Sequence, residues 1–120
     1  MKQKRRYTLR QVYKAMLYGV PKVKKTFWKK AMNKLKGRPE VVGACAIGRA
    51  ALNLGEEDYS QLYDALSHIQ IRYLDKKGIK QDARLVNYII KQNDFTDKSI
   101  EDIAEEISTL VDLEQVVVVG

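Results

Sequence analysis

The chain has one cysteine and one histidine in 120 residues. A single cysteine closes no internal disulfide, which fits a reducing compartment, and one His with one Cys excludes the usual zinc ligand sets. Two prolines and seven glycines are too few for a low-complexity segment. No apolar run approaches the ~20 residues that span a bilayer, the terminal VVVV included. The opening MKQKRRYTLR is followed by no apolar h-region, so no secretory signal is expected. A glycine-rich phosphate loop is missing too, because Gly43 and Gly48 flank a helical pattern. These absences leave a soluble, cytoplasmic globular protein, 45% apolar and 31% charged, with no membrane, metal or cofactor expected.

Acids are scarce in the first third. Residues 1–40 carry fourteen Lys/Arg against Glu40 alone, a net of +13, whereas residues 41–120 carry eight Lys/Arg against fourteen Asp/Glu, a net of −6. Such polarity predicts an anionic partner for the first part, or association of one molecule's basic face with another's acidic face.

Helical periodicity runs through nearly every segment. Leu9, Val12, Tyr13, Met16 and Leu17 follow the i, i+3, i+4, i+7 rule behind a Thr8 N-cap. Val23, Phe27, Trp28, Ala31, Met32 and Leu35 form a second stripe, closed by Gly37. Further helices are predicted over GACAIGRAALNLG, over 59–77, around 82–92 and from Ile100 to Val111. The fold expected is therefore all-α, a single domain over 1–120 in which five to six helices surround a short central helix of small residues. Residues 1–7 read as a basic flexible arm. Residues 115–120 read as a tail that is either disordered or pairs with another strand, a second copy included.

In the small-residue segment, Cys45 falls in a first helical turn, where the dipole favours a thiolate. The order Cys45, His68, Asn93-Asp94 imitates a cysteine-hydrolase arrangement, which makes Cys45 and Asp94 the weak catalytic candidates. A buried packing role for the thiol is the simpler reading, and it favours a non-enzymatic protein. Asp94, Asp97, Glu101 and Glu105 lack the glycine-containing calcium-loop pattern, and helix capping explains them.

GACAIGRAALNLG, Tyr59, Ala65-Leu66, Asn93-Asp94, Thr96 and Ile100-Glu101-Asp102-Ile103 together resemble a family of small bacterial and phage proteins. Its pattern runs Trp, Cys-Ala-hydrophobic-Gly-Ala, Asn-Asp, then a Thr/Ser-capped acidic helix. The resemblance covers roughly residues 27–110. It departs at Arg49, which stands where a small residue is usual, and at Gln92, where a tryptophan is common. It implies a phage or bacterial setting, hence a host-cell cytoplasm if phage-encoded, and no activity.

The strongest functional signal is the basic third. Lys2, Lys4, Arg5 and Arg6 form the arm, and Lys22, Lys24, Lys25, Lys29, Lys30, Lys34, Lys36 and Arg38 continue the positive surface. Cations at this density neutralise phosphates and release counterions, a largely sequence-independent mode of binding to DNA or RNA. No helix-turn-helix, zinc-finger or RNA-binding signature supplies base readout. The expectation is a non-enzymatic accessory protein that binds nucleic acid. The alternative is a protein-interaction module that self-associates or docks on a charged partner.

Overall fold

A computed structural model describes residues 3–120. The chain runs β1 (Arg5–Thr8), α1 (Leu9–Met16), β2 (Trp28–Asn33), β3 (Arg38–Ala44), α2 (Ala46–Asn53), α3 (Tyr59–Leu66), β4 (Gln70–Leu74), β5 (Lys80–Arg84), α4 (Leu85–Phe95), α5 (Ile100–Leu110) and β6 (Val116–Val119). The strands pair as three two-stranded antiparallel sheets, β1 with β6, β2 with β3 and β4 with β5. The protein is thus mixed α/β, and the all-α expectation is corrected.

The correction has a physical reason in each hairpin. A helix through residues 23–35 would stack Lys25 on Lys29 and Lys30 on Lys34, like charges at i, i+4, which destabilise a helix. In the β2–β3 ribbon Lys29 faces Gly43 and Lys30 faces Val41, so no lysine opposes another. Gly37, at φ +64°, closes a four-residue turn that few other residues would tolerate. The helix expected over 59–77 ends at Leu66, where the Ser67 hydroxyl donates to the Asp64 carbonyl at 2.6 Å. Ile69, Ile71 and Tyr73 then alternate inward with period two.

The N-terminal segment differs from expectation, whereas the tail takes the pairing alternative. Residues 5–8 form a strand rather than a flexible arm, and the valine tail pairs with it in the same chain, Arg5 opposite Val119 and Thr8 opposite Val116. Val117 and Val119 point into the core while Val116 and Val118 face out, the alternation a strand imposes. Lys2 lies outside the described residues.

α2 sits at the centre, packed against α1, α3 and α4, with six of its eight residues buried. It also closes the open end of α1, whose last carbonyls have no partner within that helix. Asn53 Nδ2 donates to the Ala15 and Tyr18 carbonyls at 2.8 and 2.7 Å. Arg49, 5% exposed, donates to the Met16 and Val20 carbonyls and pairs with Glu101 on α5. Arg49 therefore joins α1, α2 and α5.

Around α2 the apolar stripes of the other helices close the core. Leu9, Val12, Ala15 and Met16 come from α1, and Ile100, Ile103, Ala104 and Ile107 from α5, both at helical spacing. Burying each large aliphatic side chain contributes about 2 kcal/mol.

Candidate functional site

Two sets of basic residues separate in the structure. The first is engaged by other groups of the chain. Arg5 donates to the buried Glu56 carboxylate at 2.7 and 2.6 Å, and Tyr7 donates to the same carboxylate. Lys22 Nζ donates to the Thr96 and Lys98 carbonyls, and Lys24 pairs with Asp97 at 3.0 Å. Lys25 lies 5.6 Å from the centre of the Phe95 ring, and its own N–H donates to Asp94 Oδ1 at 2.8 Å. Lys22, Lys24 and Lys25 fasten the segment 21–27 to the end of α4, with Lys24 and Lys25 still exposed.

The second set stands on the β2–β3 ribbon. Lys29, Lys30, Lys34, Lys36 and Arg38 are exposed there. Lys36 pairs with Glu40 at 2.8 Å across the turn, and Lys30 lies 5.9 Å from the centre of the Trp28 ring. Lys29, Lys34 and Arg38 have no hydrogen-bonded acid among the described residues. Lys4 and Arg6 are exposed on and beside β1.

The ribbon is built to project. The ribbon stands away from the core, with Met32 62% and Leu35 99% exposed. Its tip is nevertheless ordered by its own side chains. Asn33 Oδ1 accepts from Leu35 and Lys36 N–H at 3.0 and 3.2 Å, and Asn33 Nδ2 donates to Glu40 at 3.0 Å. Glu40 is held below the usual carboxylate range by these donors, Asn33 first and then Lys36. Lys30, Met32, Pro39 and Val41 share one face, and Lys29, Ala31, Arg38 and Glu40 the other. Strand register therefore places cations on both faces, with an apolar pair, Met32 opposite Pro39, behind the tip.

The base of the ribbon is anchored on α2. Trp28 Nε1 donates to the Gly48 carbonyl at 2.7 Å, and Phe27 stacks on Tyr59 at 4.6 Å between ring centres. Cys45 N–H points at the Thr26 and Phe27 carbonyls, 3.2 and 3.3 Å away. Asn93, 1% exposed, accepts from Ala46 N–H at 3.1 Å and donates to the Val23 carbonyl and to Asp94.

This arrangement decides how the catalytic candidates sit. Cys45 is the N-cap of α2, and its sulfur accepts from Gly48 N–H at 3.4 Å. Burial pushes its thiol pKa up, and the charge of Asp94 adds to that. His68 lies in an exposed turn between α3 and β4 rather than within a helix. Asn93 and Asp94 are occupied by backbone groups of the segment they clasp. Trp28, Cys45, Gly48, Asn93 and Asp94 thus meet in one structural clasp. Among the described residues no group of three His, Cys, Asp or Glu side chains is placed to hold a metal ion. No described helix is long and apolar enough to cross a membrane.

One feature escapes sequence reasoning. The turn after β4 and the last turns of α4 enclose a cleft of about 730 Å³, floored by Tyr73 and Tyr88 and rimmed by Lys76, Lys77, Lys91 and Phe95. Its signal in the chain is the Asp75-Lys76-Lys77-Gly78 turn, in which Asp75 accepts from Lys77 and Ile79 N–H at 2.9 Å. A helical reading of 59–77 hides that turn.

Comparison with known proteins finds no matching family model, no matching curated sequence and no matching solved structure.

Proposed function

We propose that the protein is a non-enzymatic nucleic-acid-binding accessory protein of phage or bacterial origin, and that the β2–β3 ribbon is its binding element. One observation carries this reading. The fold ties Arg5 and Lys22 to part-buried acceptors and Lys24 to a surface acid of the same chain, yet leaves Lys29, Lys30, Lys34 and Arg38 on a projecting ribbon without an acid in hydrogen-bond contact among the described residues. Cations placed on both faces of a narrow arm suit phosphates lining a groove. The setting comes from the resemblance to phage and bacterial proteins around Cys45 and Asn93-Asp94.

The test is binding of labelled DNA and RNA across a salt series. Four phosphate contacts give a slope of log affinity against log salt of about −4 on B-DNA. Reversing Lys29, Lys34 and Arg38 to Glu abolishes binding and leaves the melting temperature unchanged, since none of the three side chains has a hydrogen-bonded acid or a ring contact among the described residues. Undiminished affinity in that variant refutes the site. Lys24 and Lys25 are unsuitable for the same test, because their substitution disturbs the clasp.

Self-association is the second reading, favoured by the exposure of Met32, Leu35 and Val42 on one arm. The head-to-tail form of it is weakened by the acidic half. Glu101 pairs with Arg49, Glu114 with Arg10 and Glu106 with Lys98, and Glu105 accepts from Tyr13. Sedimentation at two salt concentrations separates the readings: a monomer at both excludes self-association.

A further inference from the structure

We propose that the ribbon is a bending arm for duplex DNA, in which Leu35 inserts between base steps from the minor groove while the surrounding cations hold phosphates. This rests on the nucleic-acid reading above and adds to it the kind of nucleic acid and the mechanical outcome.

Phosphate neutralisation alone explains the lysines and leaves the tip unexplained. A solvated turn needs no large apolar residue, yet Leu35 stands 99% exposed at its summit. The turn that lifts it is braced at both ends. Asn33 accepts from the Leu35 and Lys36 amides, and Glu40 ties Asn33 to Lys36. The side chain is therefore presented by an ordered platform, and little ordering cost remains to be met on insertion. Lys34 and Lys36 flank it directly, and Arg38 follows Gly37, so cations lie within reach of phosphates beside an opened step.

Met32 and Pro39, paired across the ribbon, supply an apolar surface behind the wedge. Such side chains cannot read the hydrogen-bond code of the major groove, but they can unstack a step from the minor groove and kink the duplex. A-form RNA offers a wide, shallow minor groove and a major groove closed to side chains, so the geometry favours DNA. A lipid surface is disfavoured by the distribution of charge. Interfacial elements segregate cations to one face, whereas Lys30 stands on the face of Met32 and Lys29 and Arg38 on the opposite one.

The experiment uses the full chain and a duplex of roughly 30 base pairs carrying a donor and an acceptor dye at its ends. Wild-type protein at low salt raises energy transfer, as a kink of some ~20–90° brings the ends together. Leu35→Ser loses the rise in transfer even at protein concentrations that saturate the same duplex, saturation being read by anisotropy. Leu35 touches nothing in the core, so the variant folds as wild type, which circular dichroism verifies. Binding without a change in transfer, or undiminished bending by Leu35→Ser, overturns the wedge and leaves the nucleic-acid reading standing. Absence of duplex binding at low salt overturns both, and capture by anionic phosphatidylserine vesicles in that case reassigns the arm to lipid.

Discussion

Replacing Gly48 by alanine tests the central packing of the fold, because two elementary effects predict opposite signs. Intrinsic helix propensity favours alanine by about 1 kcal/mol in a helix interior. Sterics oppose it. A Cβ on Gly48 would lie 2.0 Å from the Phe27 carbonyl oxygen, 2.8 Å from its carbon and 3.1 Å from Trp28 Cδ1. The first two atoms are backbone and cannot swing aside, so the segment entering β2 must retreat by more than 1 Å from α2. Overpacking of this kind costs about 3 kcal/mol. The retreat also breaks the Trp28–Gly48 hydrogen bond, 2.7 Å long, for about 1 kcal/mol more. The net is a loss of about 3 kcal/mol. At about 2.1 cal/mol/K of unfolding entropy per residue, that lowers the melting temperature by about 12 °C. Calorimetry and urea melts read the loss, and Trp28 fluorescence reports the opening directly. Gly55→Ala is the companion: its φ of +78° is strained for alanine but no atom lies within 4 Å, so it costs only about 1 kcal/mol. A Gly48→Ala protein as stable as wild type would refute the close approach of Phe27 to α2.

Asn93→Ala removes the partners of the buried Ala46 N–H and of the Val23 carbonyl, a destabilisation of about 2–4 kcal/mol by urea denaturation; a loss under about 1 kcal/mol would contradict the clasp. Cys45 reacts with a thiol reagent at neutral pH far more slowly in the native protein than in urea, because burial encloses the sulfur and raises its pKa; equal rates would expose it as a surface thiol. Glu101 is held below the usual carboxylate range, chiefly by the hydrogen bond from Arg49, and Asp97 likewise by Lys24. Depressed folded values mean that this stability is complete above the ordinary carboxylate range and is lost as pH falls through the folded values. The urea midpoint is therefore flat from neutrality to about pH 5 and declines below that, with a shallower decline in Glu101→Gln; a midpoint level down to pH 3 would remove these groups from the stability account.

Helices whose stripe meets the core were legible residue by residue. Ile100, Ile103, Ala104 and Ile107 recur at helical spacing behind the Ser99 cap, which accepts from Asp102 N–H at 3.0 Å. Where two periods share residues, the wrong one was chosen. Leu66, Ile69 and Tyr73 satisfy a helical stripe, while Ile69, Ile71 and Tyr73 satisfy a strand, and only Asp75-Lys76-Lys77-Gly78 after them marks a hairpin. The stripe Val23, Phe27, Trp28, Ala31, Met32 and Leu35 failed for a different reason: its last three members are exposed, because the distal ribbon stands off the core. Periodicity records burial, and it carries no information for an element that buries neither face. The basic residues were legible as composition, and their partners were not. Lysines between 22 and 38 look alike along the chain, yet the acceptors that separate them, Asp97 and the Thr96 and Lys98 carbonyls, lie more than seventy residues away.

That separation gives the clasp a mechanical meaning. A two-stranded ribbon is marginally stable by itself, and a flexible arm would lose much of its binding energy to ordering. Here the segment leading into it is fixed from three sides: Asn93 and Asp94 hold 23 and 25, Lys22 and Lys24 reach the loop after α4, and Trp28 is bonded to α2. Polar groups that would otherwise be candidates for chemistry are consumed in aiming the ribbon. On the proposed nucleic-acid reading, the consequence is an asymmetry between two kinds of substitution. Changes in the clasp, such as Asn93→Ala, act on stability and weaken binding only through it. Changes on the ribbon, such as Lys29→Glu, act on binding and leave stability alone. A ribbon substitution that unfolds the protein, or a clasp substitution that leaves stability intact while abolishing binding, would show that aim and grip are not divided in this way.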